Sequence, residues 1–251
     1  MAAYYNEFDP YAAQWLRNLI AKNLIAPGDV DERSIVDVHP DDIVGYHQCH
    51  FFAGIGGWPY ALRLAGWDDD REVWTGSCPC QPISSAGQHK GHADERHLWP
   101  AFHRLISECG PSVVFGEQVA NEDGREWLSA VRADLEALGY ACGAADLCAA
   151  GVGAPHARQR LFWVADAEGT GGRWREGLEA RTRKAAGGPS PSVRYEPWPD
   201  GRGSGSSLAV SDVLSPSYGV PQRVGQLRAY GNAIVPQVAA EVIGAYMEIA
   251  A

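Results

Sequence analysis

The stretch HFFAGIGG, residues 50–57, decides how this chain can fold. An apolar run that ends in glycines and leads into a helical pattern through Leu64 reads as strand, tight turn, helix. Glycines at that turn let the backbone approach a ligand at a helix N-terminus, as nucleotide-binding α/β sheets require. Alone the signal is weak, because any tight strand–helix turn needs glycine. Its natural partner is an acid ending the next strand, which binds a ribose hydroxyl. The residues that follow supply none, since only Asp68-Asp-Asp-Arg71 separates this helix from the next strand, Val73-Trp-Thr75.

Working outward, NEFDPYAAQWL (residues 6–16) reads as the end of a strand, an acidic turn and the start of an amphipathic helix. Apolar residues at helical spacing (Ala12, Trp15, Leu16, Leu19, Ile20) predict a helix over 11–23, with Pro10 in its first turn. PGD at 27–29 breaks it, and residues 33–38 read as a short buried strand ending in an acid. Further on come a helix over 99–109 and a strand over 112–115 stopping at Gly116-Glu117. A helix over 127–138 and a strand over 161–165 follow. Strands alternating with helices predict a doubly wound, mostly parallel sheet. From Asp166 to about Gln226 Gly, Pro, Ser and Arg dominate without periodicity, which reads as a small lobe or an elaborated loop. Residues 227–251 regain order, with a GNAIVP turn and a helix over 236–249.

Composition narrows the function classes. At 251 residues and 45% hydrophobic, with nine Trp, the chain can build a sizeable core. No apolar run is long enough to span a membrane, and the N-terminus lacks a signal pattern, so an intracellular protein is expected. Six cysteines are too few for a disulfide scaffold at this size and read as reduced. The formal charge of −10 is uneven: residues 1–153 hold 10 Lys and Arg against 22 Asp and Glu, residues 154–228 hold 11 against 7. A basic segment in an acidic protein suits one phosphate-facing surface, and on charge alone a solvated arginine-bearing loop explains it equally well.

SCPCQPIS, residues 77–84, is the most specific stretch. A cysteine after proline at a strand's C-terminal edge stands where α/β sheets place their ligands, and its thiolate would be a nucleophile. Inert buried thiols, or a zinc site of Cys78 and Cys80 with His89, His92 or Cys109, are the bland alternatives. C-x-C without a second cysteine pair is poor zinc spacing, so no metal is expected.

FFAGIGGW, CPCQPIS, FGEQVA, APHARQR and GNAIVPQVA, in that order, resemble the DNA (cytosine-5) methyltransferases. The similarity covers most of residues 50–165 and 227–245. It implies a Rossmann-like S-adenosylmethionine-dependent methyltransferase fold with a catalytic and cofactor-binding domain over 1–165. A small target-recognition lobe over 166–226 and a C-terminal segment returning to the catalytic domain complete the expected layout. By the resemblance Cys80 is the nucleophile that adds to C6 of cytosine, and Glu117 hydrogen-bonds N3 and the exocyclic amine. Arg158 and Arg160 match the pair that holds the cysteine loop and cytosine O2. Phe52, Gly54, Gly56 and Gly57 match the cofactor turn, and Asn232 matches the motif closing around the methionine end. Gln81 and Ser84 beside the nucleophile, and Arg173 and Arg175 in the lobe, are the expected DNA contacts. Other lobe arginines (Arg181, Arg183, Arg194, Arg202) are further candidates for phosphates or guanine edges. Gln118 stands where the family has Asn, His156 where it has Gln, and His50 where it has an acid.

The missing half of the cofactor site has a counterpart upstream. NEFDPYAAQWL resembles the family's next motif and SIVDV the one after, which makes Glu7 the ribose ligand, Asp37 the adenine-amine ligand and Phe8 an adenine neighbour. Both lie before FAGIGG instead of after it. A circular permutation, the same sheet cut before its second strand, is the simplest account, and a helical extension with incidental acids is the bland one. The function expected is methyl transfer from S-adenosylmethionine to a flipped cytosine in double-stranded DNA by a monomeric enzyme. Its setting would be restriction–modification or phage DNA modification. Deamination or hydroxymethylation through the same activation, RNA cytosine methylation, and a non-catalytic DNA-binding decoy are the rivals.

Overall fold

Among the described residues seven strands form one sheet in the order β2-β1-β3-β4-β5-β7-β6. The computed structural model describes residues 3–79, 98–154, 156–169, 174 and 233–250. In chain order its elements are β1 (Ala3–Asn6), α1 (Pro10–Ala21), β2 (Gly28–Asp31), α2 (Pro40–Ile43), β3 (Gln48–Phe51), α3 (Gly57–Ala65) and β4 (Val73–Gly76). They continue with α4 (Trp99–Cys109), β5 (Val113–Val119), α5 (Glu122–Ala137), β6 (Ala141–Cys148), β7 (Gln159–Asp166) and α6 (Pro236–Ile249). Strands β1 to β5 run parallel to one another, while β7 runs antiparallel between β5 and β6.

Alternation along the strands sends side chains to two cores. On the front face, Ala3 and Tyr5 meet α1, and Val73 and Phe115 meet α3 and α6. On the back face, Tyr4, Phe51, Trp74 and Val114 meet α2, α4 and α5. Capping fixes where α1 starts: the Asp9 carboxylate accepts from Tyr11 N at 2.9 Å and Ala12 N at 3.1 Å, with Pro10 in the first turn.

The placement of helices makes one connection unusual. The β1–α1–β2 link crosses the front toward one edge, whereas β2–α2–β3 and the arrival at β5 from α4 cross the back toward the other. Those three share one hand. The β3–α3–β4 link crosses the front toward the β4 side and has the opposite hand. Parallel crossovers are almost always right-handed, so three keep the rule and this one breaks it.

Sequence expectations fail at the edges of the sheet. Residues 33–38 do not form a strand: the strand is Gly28–Asp31, and Ser34 caps a 3₁₀ turn over Ile35–Asp37. The polar segment GDVD pairs with β1 because its last acid is satisfied locally, Asp31 accepting from Tyr4 Oη and Arg33 Nη2 at 2.7 Å each. Strand β5 runs on through Val119, since antiparallel pairing with β7 carries it past Gly116. Strand β6 has no expected counterpart, because its small residues ACGAADLC show no clean alternation. The helices over 99–109 and 236–249 fall where periodicity put them.

Candidate active site

Every described candidate residue but Arg158 and Arg160 lies at the C-terminal edge of the parallel strands, where doubly wound sheets bind ligands. After β3 the chain makes a tight turn in which Phe52, Gly54 and Gly56 have φ of 51°, 56° and 84°. Two of these suit glycine, whereas Phe52 holds a left-handed conformation that costs a non-glycine residue energy. Its ring is fixed edge-on against Phe102 at 6.0 Å. A Cβ on Gly57 would lie 2.6 Å from Ile234 Cγ1, so the lead-in to α6 packs directly on the turn.

Glu7, just beyond β1, reaches this turn. Its carboxylate accepts from Gly54 N at 2.7 Å and from Asp9 N at 2.8 Å. Burial pushes its carboxyl up, and the two backbone N–H groups pull it back. The Phe8 ring is 73% exposed at the same edge, and Asp37 is exposed on the turn following β2. The upstream acids and the glycine turn therefore share one edge, with Glu7 in contact with Gly54.

A second cluster forms around Glu117. Arg160 Nε lies 2.8 Å from Glu117 Oε1, and Glu117 is 7% exposed. Burial raises the Glu117 carboxyl, while Arg160, Arg158 and the neighbouring Ser77 hydroxyl lower it in part. Arg158 is half-buried, its Nε has no hydrogen-bond partner, and burial with Arg160 beside it depresses its guanidinium. The pairing of Gly76 with Gly116 sets Ser77 beside Glu117, one residue before buried Cys78. Gln118, on the opposite face of β5, donates from Nε2 to the Cys78 carbonyl at 3.2 Å. That bond ties the strand bearing the acid to the segment leading into Pro79 and Cys80.

Glu7, Phe52, Gly54, Gly56 and Gly57 come together at one site, and Glu117, Arg158 and Arg160 at the next. Phe8 and Asp37 stand at the rim. Cys80, Gln81, Ser84, Arg173, Arg175 and Asn232 lie outside the described residues. Sequence reasoning missed Ser77, Trp58 and Trp174. Trp58 donates to Ser77 Oγ at 3.0 Å, and fully buried Trp174 donates to the Val242 carbonyl of α6 at 3.0 Å. Only the placement of Ser77 between CPC and a strand could have flagged it. Among the described residues no cluster of His, Cys, Asp and Glu could hold a metal ion.

The sheet order, the antiparallel β7 and the glycine turn define a Rossmann-like α/β methyltransferase fold. Residues 67–185 match the family model of C-5 cytosine-specific DNA methylases. Type II methyltransferase M.HhaI of Haemophilus parahaemolyticus is 25% identical over 169 residues, covering 52% of this chain and 52% of the relative. Type II methyltransferase M.AplI of Arthrospira platensis is 35% identical over 96 residues, 38% of this chain and 28% of the relative. The chain thus spans about half or less of the curated relatives it matches. Among solved structures, Spodoptera frugiperda DNMT2 aligns at 15% identity and TM-score 0.46, over 66% of this chain and 42% of that one.

Proposed function

We propose that the chain is a DNA cytosine C5 methyltransferase acting on a flipped cytosine in double-stranded DNA. The observation that carries this reading is the buried Glu117 held by Arg160, beside the segment that leads into Pro79 and Cys80. A carboxyl raised by burial is suited to sharing a proton with a ring nitrogen. The fit of S-adenosylmethionine rests on the glycine turn, where a Cβ built on Gly54 would meet nothing nearer than the Phe52 carbonyl at 4.0 Å, and on the acids flanking it. Glu7, Asp37, Phe8, Phe52, Gly54, Gly56, Gly57 and Asn232 would hold it. When bound, S-adenosylmethionine supplies the methyl group.

The chain's own residues do the rest. Cytosine must leave the stack, because C6 is out of reach inside a duplex. The Cys80 thiolate bonds to C6, Glu117 shares its proton with N3 and offsets the charge that develops there, and C5 becomes nucleophilic. Arg158 and Arg160 hold the base and keep the acid oriented. After methyl transfer a base takes the C5 proton, and elimination returns Cys80. Gln81 and Ser84 beside the nucleophile, with Arg173 and Arg175, would meet the DNA.

We also propose that the motif order comes from transposition of one strand–helix unit. A circular permutation keeps cyclic order and would send FAGIGG behind GNAIVPQVA, yet here it stands between Asp37 and Cys80. The register supports the transposition: Ala3, Gln48 and Val73 line up at the N-terminal edge of adjacent strands. Exchanging the connections there spans only about two strand spacings, roughly 10 Å.

The test combines labelled S-adenosylmethionine with cytosine-containing duplex DNA and with DNA carrying 5-fluorocytosine. Wild type is expected to label the first and to become covalently trapped on the second. Cys80→Ser is expected to do neither, and Glu117→Gln to transfer at least about 100-fold more slowly. Absence of label from DNA across varied sequences and salt concentrations overturns the methyltransferase reading.

A further inference from the structure

Two polar side chains outside the expected machinery converge on Glu117. Trp58 follows Gly57 in the first turn of α3 and is 3% exposed. Its ring is stacked on Phe115 at 6.0 Å and meets Phe162 edge-on at 6.0 Å, so its indole direction is fixed. That indole donates to Ser77 Oγ at 3.0 Å. An indole N–H can only donate, so Ser77 accepts there and keeps its own single proton. The strand register sets Ser77 next to Glu117, and its hydroxyl lowers the Glu117 carboxyl, as a proton turned toward that carboxylate does.

We infer that Trp58 and Ser77 form a positioning relay, running from the helix behind the glycine turn to the Glu117 carboxylate, that sets the orientation and acidity of this acid. The inference rests on the catalytic reading of Glu117. Among the described residues the ionisable groups acting on Glu117 are Arg160, at 2.8 Å, and Arg158, both on the β7 side. Ser77 supplies a donor from the β4 side. In this relay the carboxylate oxygens that face Arg160 and the Ser77 hydroxyl are poor places for a proton, which leaves the remaining lone pair for the proton shared with a substrate. Loss of the Ser77 donor frees the carboxyl to rotate and strengthens its hold on the proton. Because Trp58 adjoins Gly57, displacement of the turn is transmitted to the same hydroxyl.

The relay is tested on the full-length protein with 13C-labelled glutamate, the Glu117 resonance being identified by its loss in Glu117→Gln. In Ser77→Ala the Glu117 titration is expected to move up by about one pH unit, the scale of one hydrogen bond. Trp58→Phe is expected to move it part of the way, and Ser77→Thr, which restores the hydroxyl, to leave it near wild type. In methyl-transfer assays Ser77→Ala is expected to lower kcat about tenfold with the cofactor KM within about twofold, a transition-state effect. The pH limb governed by Glu117 should shift in the same direction as the titration. A Ser77→Ala protein with wild-type circular dichroism and an unmoved Glu117 titration overturns the relay. Wild type that shows the relay's titration behaviour but transfers no methyl group to DNA overturns the catalytic reading instead.

Discussion

His50 is a residue whose role only its surroundings explain. It is fully buried on β3, stacked on Tyr5 at 5.0 Å, with Thr75 Oγ1 at 2.8 Å and Gln48 Oε1 at 3.3 Å from its two ring nitrogens. Burial pushes its pKa from 6.5 down to about 3. The unfolded chain therefore binds this proton first. The histidine's contribution to stability is complete above about pH 6.5 and fades as pH falls toward about 3, by at most about 1.4 kcal/mol per unit. Glu7 and Glu117, raised by burial, act with the opposite sign, since falling pH relieves the cost of their buried charge. Comparison with His50→Asn isolates the histidine. The variant should be less stable by about 1–3 kcal/mol near pH 7, through lost buried hydrogen bonds. Urea titrations should show that gap narrowing by about 1–2 kcal/mol near pH 5, and a gap independent of pH contradicts the assignment. The acids and arginines of the site were legible as motif positions. The Ser77 and Trp58 contacts were not, because they depend on Gly76 pairing with Gly116 and on where α3 lies across the sheet.

Among elements, the β3–α3–β4 unit stands out, being the one parallel crossover of opposite hand among the described residues. The transposition predicts that the hand follows from gene order and is not required by the site. A chain in which residues 47–72 are moved ahead of Ala3, with short glycine–serine joints, should build the same sheet with every crossover of one hand. Its near-ultraviolet circular dichroism should match wild type and its Tm should lie within about 8 °C, a difference of roughly 1–2 kcal/mol. Refolding should be no slower, since the rarer crossover is gone. Failure of the reordered chain to fold would show that this unit is not exchangeable. Periodicity located α4 and α6, whose apolar stripes are complete, and missed β6 and β2, whose pairing is decided by neighbouring strands rather than by their own side chains.

Over the whole molecule charge is uneven, with the first 153 residues acidic and segment 154–228 basic, and the proposed function gives the basic segment the DNA. Arg173→Ala with Arg175→Ala should weaken binding to duplexes of any sequence and reduce the slope of log K against log salt by about 1 for each arginine. Anisotropy titrations between about 50 and 200 mM salt read that slope, and an unchanged value removes these two arginines from the phosphate contacts. By itself the sequence determined the α/β class, the glycine turn, the helices with full apolar stripes and the identity of the acid and arginines, since each is written in local pattern or motif. Only the tertiary structure decided that Glu7 touches Gly54 across 47 residues of chain, that α3 lies on the front face, and that Ser77 and Arg160 converge on Glu117. Strand order, register and the face a helix covers are set by contacts between segments distant in sequence, which no local pattern records.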